Sequence, residues 1–159
     1  MVSGEAELRA YREKDLDAIY ELDQLCFSKE FRFDRESMRA FVEAKGAVAV
    51  IAEATGGEIA GFVIVQMERL GGIVLGYVVT LDVAEKRRRT GLARMLLLEA
   101  EKRAAVAGAL WMELHVFTGN EGAIRFYDRS GYARVGVRRR FYGRAGLDAF
   151  VYRKELEVS

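Results

Sequence analysis

The sequence predicts a single α/β domain, residues 1–159, in which a mixed, mostly antiparallel sheet of seven strands is flanked by four helices. Half of the chain is hydrophobic (51%), which supplies enough material for one packed core. Apolar runs of strand length alternate with segments of helical period in the order β-α-α-β-β-β-α-β-α-β-β. Internal repeats, low-complexity stretches and linkers are missing from the sequence.

The first segments predict one strand and two helices. Residues 8–11 form a short strand, and Asp15 stands where an N-cap would start a helix with apolar residues at near-helical spacing over residues 16–27. Residues 27–33 are aromatic and charged without a clear period, which indicates a loop. Asp34 is the expected cap of a second helix that continues through Met38 and Val42.

From residue 47 the pattern changes to strands. Residues 47–54, 59–67 and 73–83 are apolar or alternating runs, separated by the glycine pairs Gly56-Gly57 and Gly71-Gly72. Glycine pairs favour tight hairpin turns, so these runs predict an antiparallel meander. Proline is absent from the chain, and turns must therefore be made by glycine, Asn or Asp.

The rest of the chain predicts two crossover units and two final strands. A charged loop at residues 84–90 precedes a long helix that Gly91 opens and Gly108 ends. Because strand, helix and strand in succession need a right-handed crossover, the strands at 73–83 and 110–116 should be parallel. Asn120 is the expected cap of the last helix and Gly131 closes it, before strands at 133–141 and 147–155.

Composition narrows the classes of function. The net charge of +1 disfavours partners such as nucleic acid or a membrane surface. The N-terminus lacks the apolar run of a signal peptide, and the longest apolar stretch, residues 70–81, is short of the ~20 residues of a membrane helix. The only cysteine, Cys26, cannot form an intramolecular disulfide, which favours a reducing compartment. We expect a cytoplasmic protein.

The turn at residues 83–93, between a strand and a helix, has the features of a phosphate site. Free backbone N–H groups and the positive end of the helix dipole attract anions where a helix begins. Gly91 and Ala93 leave room for a pyrophosphate, and the arginines at positions 87–89 add positive charge. A solvated basic loop explains these residues about as well. The glycine patterns of dinucleotide-binding folds and of Walker A loops are both missing.

Two motifs resemble those of the GNAT superfamily of N-acetyltransferases. Residues 88–93, RRTGLA, are similar to the Q/R-x-x-G-x-G/A loop that holds the pyrophosphate of coenzyme A. Residues 120–127, NEGAIRFY, followed by Gly131-Tyr132, are similar to the second signature, N-x-x-A-x-x-x-Y…G-F/Y. Both motifs stand in the expected order and elements, and the resemblance covers nearly the whole chain. Ala84 is a departure, because the family commonly has proline before the loop.

The resemblance implies the GNAT fold and the transfer of an acetyl group from acetyl-CoA to a primary amine, by direct attack on the thioester in a ternary complex. It implies that the strand before the phosphate turn holds the pantetheine arm and that Asn120 contacts this arm. The expected acetyl-CoA residues are Leu81, Asp82, Val83, Arg88, Arg89, Thr90, Gly91, Leu92, Ala93, Arg94, Asn120 and Tyr127. No metal is expected.

The resemblance also implies the reacting groups. Tyr127 matches the tyrosine that protonates the coenzyme sulfur, and a phenol of pKa ~10 is a sensible acid for a thiolate whose thiol has a pKa of ~8.5. His115, the only histidine, lies at a position that carries the general base in many protein N-terminal acetyltransferases. An imidazole of pKa ~6.5 is mostly neutral at cytoplasmic pH.

Two further residues join this catalytic set. Tyr77 lies on the strand expected to pair with that of His115, and the two are similar to a Tyr and His that deprotonate the substrate, through water, in N-terminal acetyltransferases. Glu113 shares the strand face of His115, so it could orient the imidazole or serve as a reserve base. Core packing is the alternative for the two tyrosines and the histidine, and a solvated or hydrogen-bonded strand carboxylate is the alternative for Glu113.

The acceptor is predicted from two loops. Residues 26–31 resemble the loop that lines the peptide groove of N-terminal acetyltransferases, and residues 140–149 resemble the segment that covers it. The expected acceptor-binding residues are Phe27, Phe31, Tyr77, Val79, Phe141 and Tyr142. Phe141-Tyr142 replaces a common tyrosine pair, and Ser28 replaces the usual proline. The arginines at 138–140 could attract acidic substrates, and a solvated strand end explains them equally well.

Three functions remain open on the sequence. A peptide α-amine has a pKa of ~7.7–8.0 against ~10.4 for lysine, so a single histidine suits a protein N-terminus, and an acetyltransferase of the ribosomal-protein-alanine kind is favoured. The second function is a GNAT enzyme acting on a small amine such as an amino acid, polyamine or aminoglycoside. The third is an acyl-CoA-binding module without catalysis, which the presence of Tyr127 and His115 disfavours. Both a monomer and a homodimer are compatible with the sequence.

Overall fold

The computed structural model describes residues 6–157, which form one seven-stranded sheet with helices on both faces. The strands are β1 (Ala6–Ala10), β2 (Val48–Ala54), β3 (Ile59–Leu70), β4 (Ile73–Val83), β5 (Trp111–Phe117), β6 (Ala133–Arg138) and β7 (Ala149–Glu155). The α-helices are α1 (Leu16–Cys26), α2 (Arg35–Val42), α3 (Leu92–Val106) and α4 (Glu121–Arg129). Short 3₁₀ turns lie at Glu13–Asp15, Glu85–Arg87 and Gly143–Ala145. Within residues 6–157, none of the helices combines the length and the apolar character needed to cross a bilayer.

The sheet confirms the predicted order of elements and the predicted parallel pair. Its strands lie in the order β1-β2-β3-β4-β5-β7-β6, and within residues 6–157 only β4 and β5 are parallel neighbours. Their register contains two partners, Gly76 with Met112 and Tyr77 with Glu113. Beyond Tyr77 and Glu113 the two strands separate, and this separation opens a cleft in the middle of the sheet.

The sheet has a hydrophobic cluster on each face. On one face α3 buries Leu96, Ala100 and Ala104, which recur every four residues and therefore share one side of the helix. On the other face Ile19 of α1 and Met38 of α2 pack with β2 and β3, and both are fully buried. Burying a side chain of this size contributes roughly 1.5–3 kcal/mol, so the clusters on both faces stabilise the sheet that contains the cleft.

Two of the three predicted helix caps are confirmed. Asp34 accepts a hydrogen bond from the backbone N–H of Ser37 at 2.7 Å, and Asn120 accepts one from that of Ala123 at 3.1 Å. The prediction for Asp15 was wrong: α1 begins at Leu16, but the Asp15 side chain does not cap it. Its carboxylate instead forms an ion pair at 2.8 Å with the guanidinium of Arg9, which belongs to β1 and not to the helix.

Several predicted boundaries also move. The first strand lies at Ala6–Ala10 rather than at residues 8–11, and α1 ends at Cys26, so that Phe27 belongs to the following loop. The strand predicted at residues 133–141 ends at Arg138, because the chain turns at Arg140, which has a φ of 54°. The turn removes Phe141 from the sheet and brings it over the cleft.

Candidate functional site

The separation of β4 and β5 contains a cavity of about 1180 Å³. Its walls come from the two strands, the loop between α1 and α2, the start of α3, α4 and the connection between β6 and β7. We call the loop of residues 27–33 the groove loop. The cavity therefore collects, in one place, segments that are far apart in the sequence.

A β-bulge in β4 shapes one wall of this cavity. Val78 pairs with Val65 of β3 and Thr80 pairs with Ile64, so Val79 is an extra residue without a partner in the β3 register. A bulge leaves the extra residue out of the ladder and bends its strand. The bulge thus lies where β4 departs from β5, beside the cavity that Val79 lines.

The N-terminus of α3 differs from those of α2 and α4 in having no side-chain cap. Its N-cap is Gly91, with a φ of 86°, a conformation that glycine adopts without steric cost. The first amides of α3 are therefore not used by a capping side chain and carry the positive end of the helix dipole. Arg88 lines the cavity beside them and donates from Nε to the Val83 carbonyl at 3.3 Å.

The predicted coenzyme residues divide into two groups. Those that line the cavity are Leu81, Asp82, Val83, Arg88, Ala93, Asn120 and Tyr127. The others lie at its edge or have a different environment: Leu92 is a core residue, and Arg94 donates to the Arg129 carbonyl at 3.2 Å. Arg89, Thr90 and Gly91 are exposed in the turn. The oxygen of the Asn120 side chain is already engaged in capping α4.

Tyr127 is a buried phenol at the base of the cavity. Its ring lies edge-on to Phe126 and Tyr132, with centroids 5.0 and 5.5 Å away, and these contacts hold its orientation. Burial raises the pKa of the Tyr127 phenol, and the nearby Asp82 raises it further. The phenol is therefore protonated at neutral pH and can act as a proton donor.

Tyr77 and His115 face each other across β4 and β5. The Tyr77 hydroxyl lies 2.6 Å from Nδ1 of His115, and Phe141 stacks on the imidazole with its centroid 4.1 Å away. Burial lowers the pKa of His115, and Arg138 lowers it further against a smaller opposing effect of Glu113. The imidazole is therefore neutral at neutral pH, as a proton acceptor must be.

The Glu113 carboxylate has a partner other than the imidazole. It accepts a hydrogen bond from Arg153 of β7 at 3.1 Å, and the guanidinium of Arg153 lies 4.4 Å from the ring centre of Trp111. This cation–π contact and ion pair hold Glu113 against β7. The geometry thus favours the solvated or hydrogen-bonded strand carboxylate over the reserve base.

An aromatic cluster forms the outer wall of the cavity. Phe31 of the groove loop packs on Tyr142 and on Phe117, with centroids 4.8 and 5.3 Å away, and Tyr142 also contacts Phe141. Burial raises the pKa of Tyr142 to about 12. The predicted acceptor residues that line the cavity are Phe27, Phe31, Tyr77, Val79, Phe141 and Tyr142. Tyr77 and Val79 belong to β4, and the other four come from the groove loop and from the β6–β7 connection.

Sequence reasoning missed two residues of this region. Phe117 joins the aromatic cluster, and the alternation of a strand would have put it on the face of His115. Asp23, on α1, is fully buried behind Asp82. Its position has no local sequence signal, because the contact joins residues from different parts of the chain.

Comparison with known proteins agrees with this geometry. Residues 16–132 match the family described as Acetyltransferase (GNAT) family. The N-terminal acetyltransferase A complex catalytic subunit ard1 of Schizosaccharomyces pombe is 30% identical over 115 residues, which cover 70% of this chain and 64% of that protein. The chain thus spans less than two thirds of the length of this relative.

Solved structures share the fold. NAA60 of Arabidopsis thaliana in complex with a bisubstrate analogue superposes with a TM-score of 0.83 and 23% identity, covering 97% of this chain and 99% of that one. The ribosomal-protein-S18-alanine N-acetyltransferase of Escherichia coli gives a TM-score of 0.81 and 20% identity, covering 97% and 96%. At these identities the likeness establishes the fold, which confirms the predicted fold class.

Proposed function

The chain belongs to the GNAT acetyltransferase family, and from this premise we propose that it transfers the acetyl group of acetyl-CoA to the N-terminal α-amine of a protein or peptide. The observation that carries the proposal is the Tyr77–His115 hydrogen bond in the same cavity as Tyr127. One cavity thus holds a neutral proton acceptor and a protonated phenol, the two groups that amide formation from a thioester needs.

The cavity suits an anionic coenzyme. The first amides of α3 lack a capping side chain, and Arg88 lies beside them without an ion-pair partner among the described residues. Amides at a helix N-terminus with a neighbouring guanidinium attract a diphosphate. Arg88 and the backbone at the start of α3 would hold the diphosphate, and the bulged part of β4 would lie along the pantetheine arm.

The residues of the cavity divide the proton transfers between two sites. Bound acetyl-CoA would supply the acyl group as a thioester. His115 and Tyr77 would accept the proton of the attacking amine, directly or through a water molecule, because the imidazole is neutral. Tyr127 would donate its phenolic proton to the leaving sulfur, since burial keeps that proton on the phenol. The aromatic cluster would exclude bulk water from both transfers.

The acceptor class follows from the strength of the base. A neutral imidazole with a lowered pKa is a weak base, which suits an α-amine of pKa ~7.7–8.0 better than a lysine of ~10.4. The groove loop and the β6–β7 connection flank the open side of the cavity, where a peptide could enter. The names of the relatives agree with this acceptor class. A cytoplasmic location, and a monomeric or homodimeric state, stay predictions from the sequence.

The test is release of coenzyme thiol from acetyl-CoA, measured over a panel of peptides with free N-termini and a panel of small amines. We expect turnover with peptides, and a loss of about 10²-fold or more in kcat/KM for His115→Ala and for Tyr127→Phe. Tyr20→Phe is the matched control, because Tyr20 lies on α1 outside the cavity and should keep wild-type rates.

Each other outcome has a definite meaning. If peptides are inert and a small amine is acetylated, the proposed acceptor is wrong and the small-amine function replaces it. If both variants keep the wild-type rate, the assignment of the reacting groups is wrong. If neither panel reacts while acetyl-CoA binds in calorimetry, the chain is an acyl-CoA-binding module.

A further inference from the structure

Two buried aspartates, Asp82 in the wall of the cavity and Asp23 on α1, take no part in the proton transfers proposed above. Asp23 of α1 is 0% exposed and Asp82 of β4 is 1% exposed, and the charge of Asp23 acts on the Asp82 carboxyl group. One oxygen of each has a separate partner: Asp23 Oδ2 accepts from the backbone N–H of Phe33 at 2.9 Å, and Asp82 Oδ1 accepts from the Thr80 hydroxyl. The remaining oxygens, Asp23 Oδ1 and Asp82 Oδ2, are buried and have no hydrogen-bond donor in the described part of the chain.

Two carboxylates that meet in a dry interior cannot both be ionised, because neither charge is hydrated and the two repel each other. A single proton between these two oxygens would turn the repulsion into a charge-assisted O–H···O⁻ hydrogen bond, which is among the stronger kinds in proteins. We infer that Asp23 and Asp82 share one proton across these oxygens, and that the pair positions the groove loop against β4 for acetyl transfer. Only the second half of this inference rests on the proposed function.

The pair connects the two sides of the cavity. Two residues of α1 bind the end of the groove loop. Asp23 accepts a hydrogen bond from the Phe33 N–H, and Gln24 donates one from Nε2 to the Phe33 carbonyl at 2.8 Å. The same loop carries Phe31 into the aromatic cluster over the cavity. Asp82 belongs to the bulged half of β4, on the coenzyme side. A proton shared by the two carboxyls therefore sets the distance between the acceptor wall and the coenzyme wall.

The charged and titratable groups around the pair come from three other places. Arg88 approaches from the turn before α3, Cys26 from the end of α1 and Tyr127 from α4. Burial raises the pKa of Asp82 well above its usual range, and the hydrogen bond and charge of Asp23 raise it further, while Thr80 and Arg88 oppose this. At neutral pH the pair carries one negative charge and one proton.

This proton has a defined effect on stability. Because the pKa of Asp82 is raised in the folded state, the folded protein binds one more proton than the unfolded chain above the unfolded pKa of about 3.9. The resulting stabilisation is fully present below that pH and is lost as the pH rises toward the folded pKa. Between the unfolded and the folded pKa, one extra bound proton lowers the ratio of folded to unfolded protein about tenfold for each pH unit of rise.

Asp23→Asn is the variant that isolates the shared proton. The Asn amide can donate an N–H to Asp82 where the proton lay, and its oxygen can still accept from Phe33. The substitution therefore removes the part of the raised Asp82 pKa that Asp23 causes and leaves the part that burial causes. We expect the one-proton slope in urea unfolding to end at a lower pH in Asp23→Asn than in wild type. The matched control is Asp15→Asn, since Asp15 is also a buried aspartate but is ion-paired to Arg9, and it should keep the slope above pH ~5.

Kinetics test the positioning role. We expect Asp23→Ala to raise the KM of the amine acceptor about tenfold with a smaller change in kcat, and Asp23→Asn to restore most of this loss. Wild type should lose kcat/KM at alkaline pH, when the shared proton leaves, and Asp23→Asn should lack that part of the alkaline decline. Equal acceptor KM values in wild type and Asp23→Ala would overturn the positioning role.

A measurement on the wild type alone keeps the inference testable if the variants fail to fold. At pH ~7, where exposed carboxyl groups are ionised, infrared spectroscopy should detect the carbonyl band of one protonated carboxylic acid. Absence of that band, or an unchanged stability slope in Asp23→Asn, would show that no proton is shared. These two measurements use no substrate, so they stand whether or not the chain acetylates an N-terminus.

Discussion

The hydroxyl of Tyr77 lies 2.6 Å from Nδ1 of His115, across the parallel strands β4 and β5. This hydrogen bond fixes the rotation of the imidazole, and Phe141 covers its face at 4.1 Å. The other ring nitrogen, Nε2, is buried without a hydrogen-bond partner among the described residues. Because a buried imidazolium is poorly hydrated, burial disfavours the charged form of His115 and favours the neutral form.

We expect His115 to titrate below the ordinary histidine pKa of about 6.5, because burial disfavours its charged form. His115 is the only histidine, so its ring protons can be followed by proton NMR without assignment. If His115 is the base, kcat/KM should show an acid limb at that same pH, besides the limb that protonation of the α-amine causes, and His115→Gln should lack the first of these limbs. A titration midpoint at or above 6.5 would contradict the expectation.

Phe141→Ala should raise the pKa of His115 toward its ordinary value, because removal of the stacked ring admits water to the imidazole. The acid limb of kcat/KM should move to higher pH by the same amount, and the acceptor KM should rise as one wall of the cavity is lost. Val137→Ala is the control, since Val137 is an exposed residue of β6 outside the cavity. The same titration in both variants would show that Phe141 does not desolvate His115.

Gly91→Ala should cost about 1 kcal/mol of stability and weaken coenzyme binding several-fold. A φ of 86° is unfavourable for alanine, although no atom lies within 4 Å of the added methyl group. Relaxation of this strain would turn the first amides of α3 away from the cavity. Gly57→Ala has the same kind of strain, with a φ of 92°, in the β2–β3 turn. Calorimetry should therefore find an equal loss of stability in both variants and weaker coenzyme binding in Gly91→Ala alone.

Asp15→Asn should destabilise the protein by about 2 kcal/mol near pH 7, the usual contribution of hydrogen bonds to a charged group. Burial alone would raise the pKa of Asp15, but hydrogen bonds from Arg9 and the Arg12 backbone outweigh it and lower the pKa. This stabilisation is present above the unfolded pKa of about 3.9 and is lost as the pH falls through the folded pKa.

Urea unfolding near pH 7 and near pH 2 measures this difference between wild type and Asp15→Asn. The gap between them should close in acid, where the wild-type carboxyl becomes protonated. Asp17→Asn is the control, because the Asp17–Arg35 ion pair is exposed and should contribute little at either pH. A gap that is the same at both pH values would mean that the Asp15 charge has no role.

Local signals in the sequence account for the elements that were predicted well. Asp34 and Asn120 cap their helices as expected, because a cap needs only a short side chain and the next few amides. Asp15 stands in the same kind of sequence context, but its carboxylate forms an ion pair with the guanidinium of Arg9 on β1 instead of capping the helix. A local pattern cannot reveal such a competitor, and for the same reason it did not predict that the chain would leave the sheet before Phe141.

The sequence by itself determined the order of strands and helices, the parallel crossover and the two motifs of the acetyltransferase family, since each depends on residues that are neighbours in the chain. Only the tertiary structure decided which side chains meet across the cleft. Tyr77 contacts His115, the charge of Asp23 acts on Asp82, and Arg153 donates a hydrogen bond to the carboxylate of Glu113. These contacts depend on strand register, on the bulge in β4 and on the packing of α1, which involve the whole sheet at once.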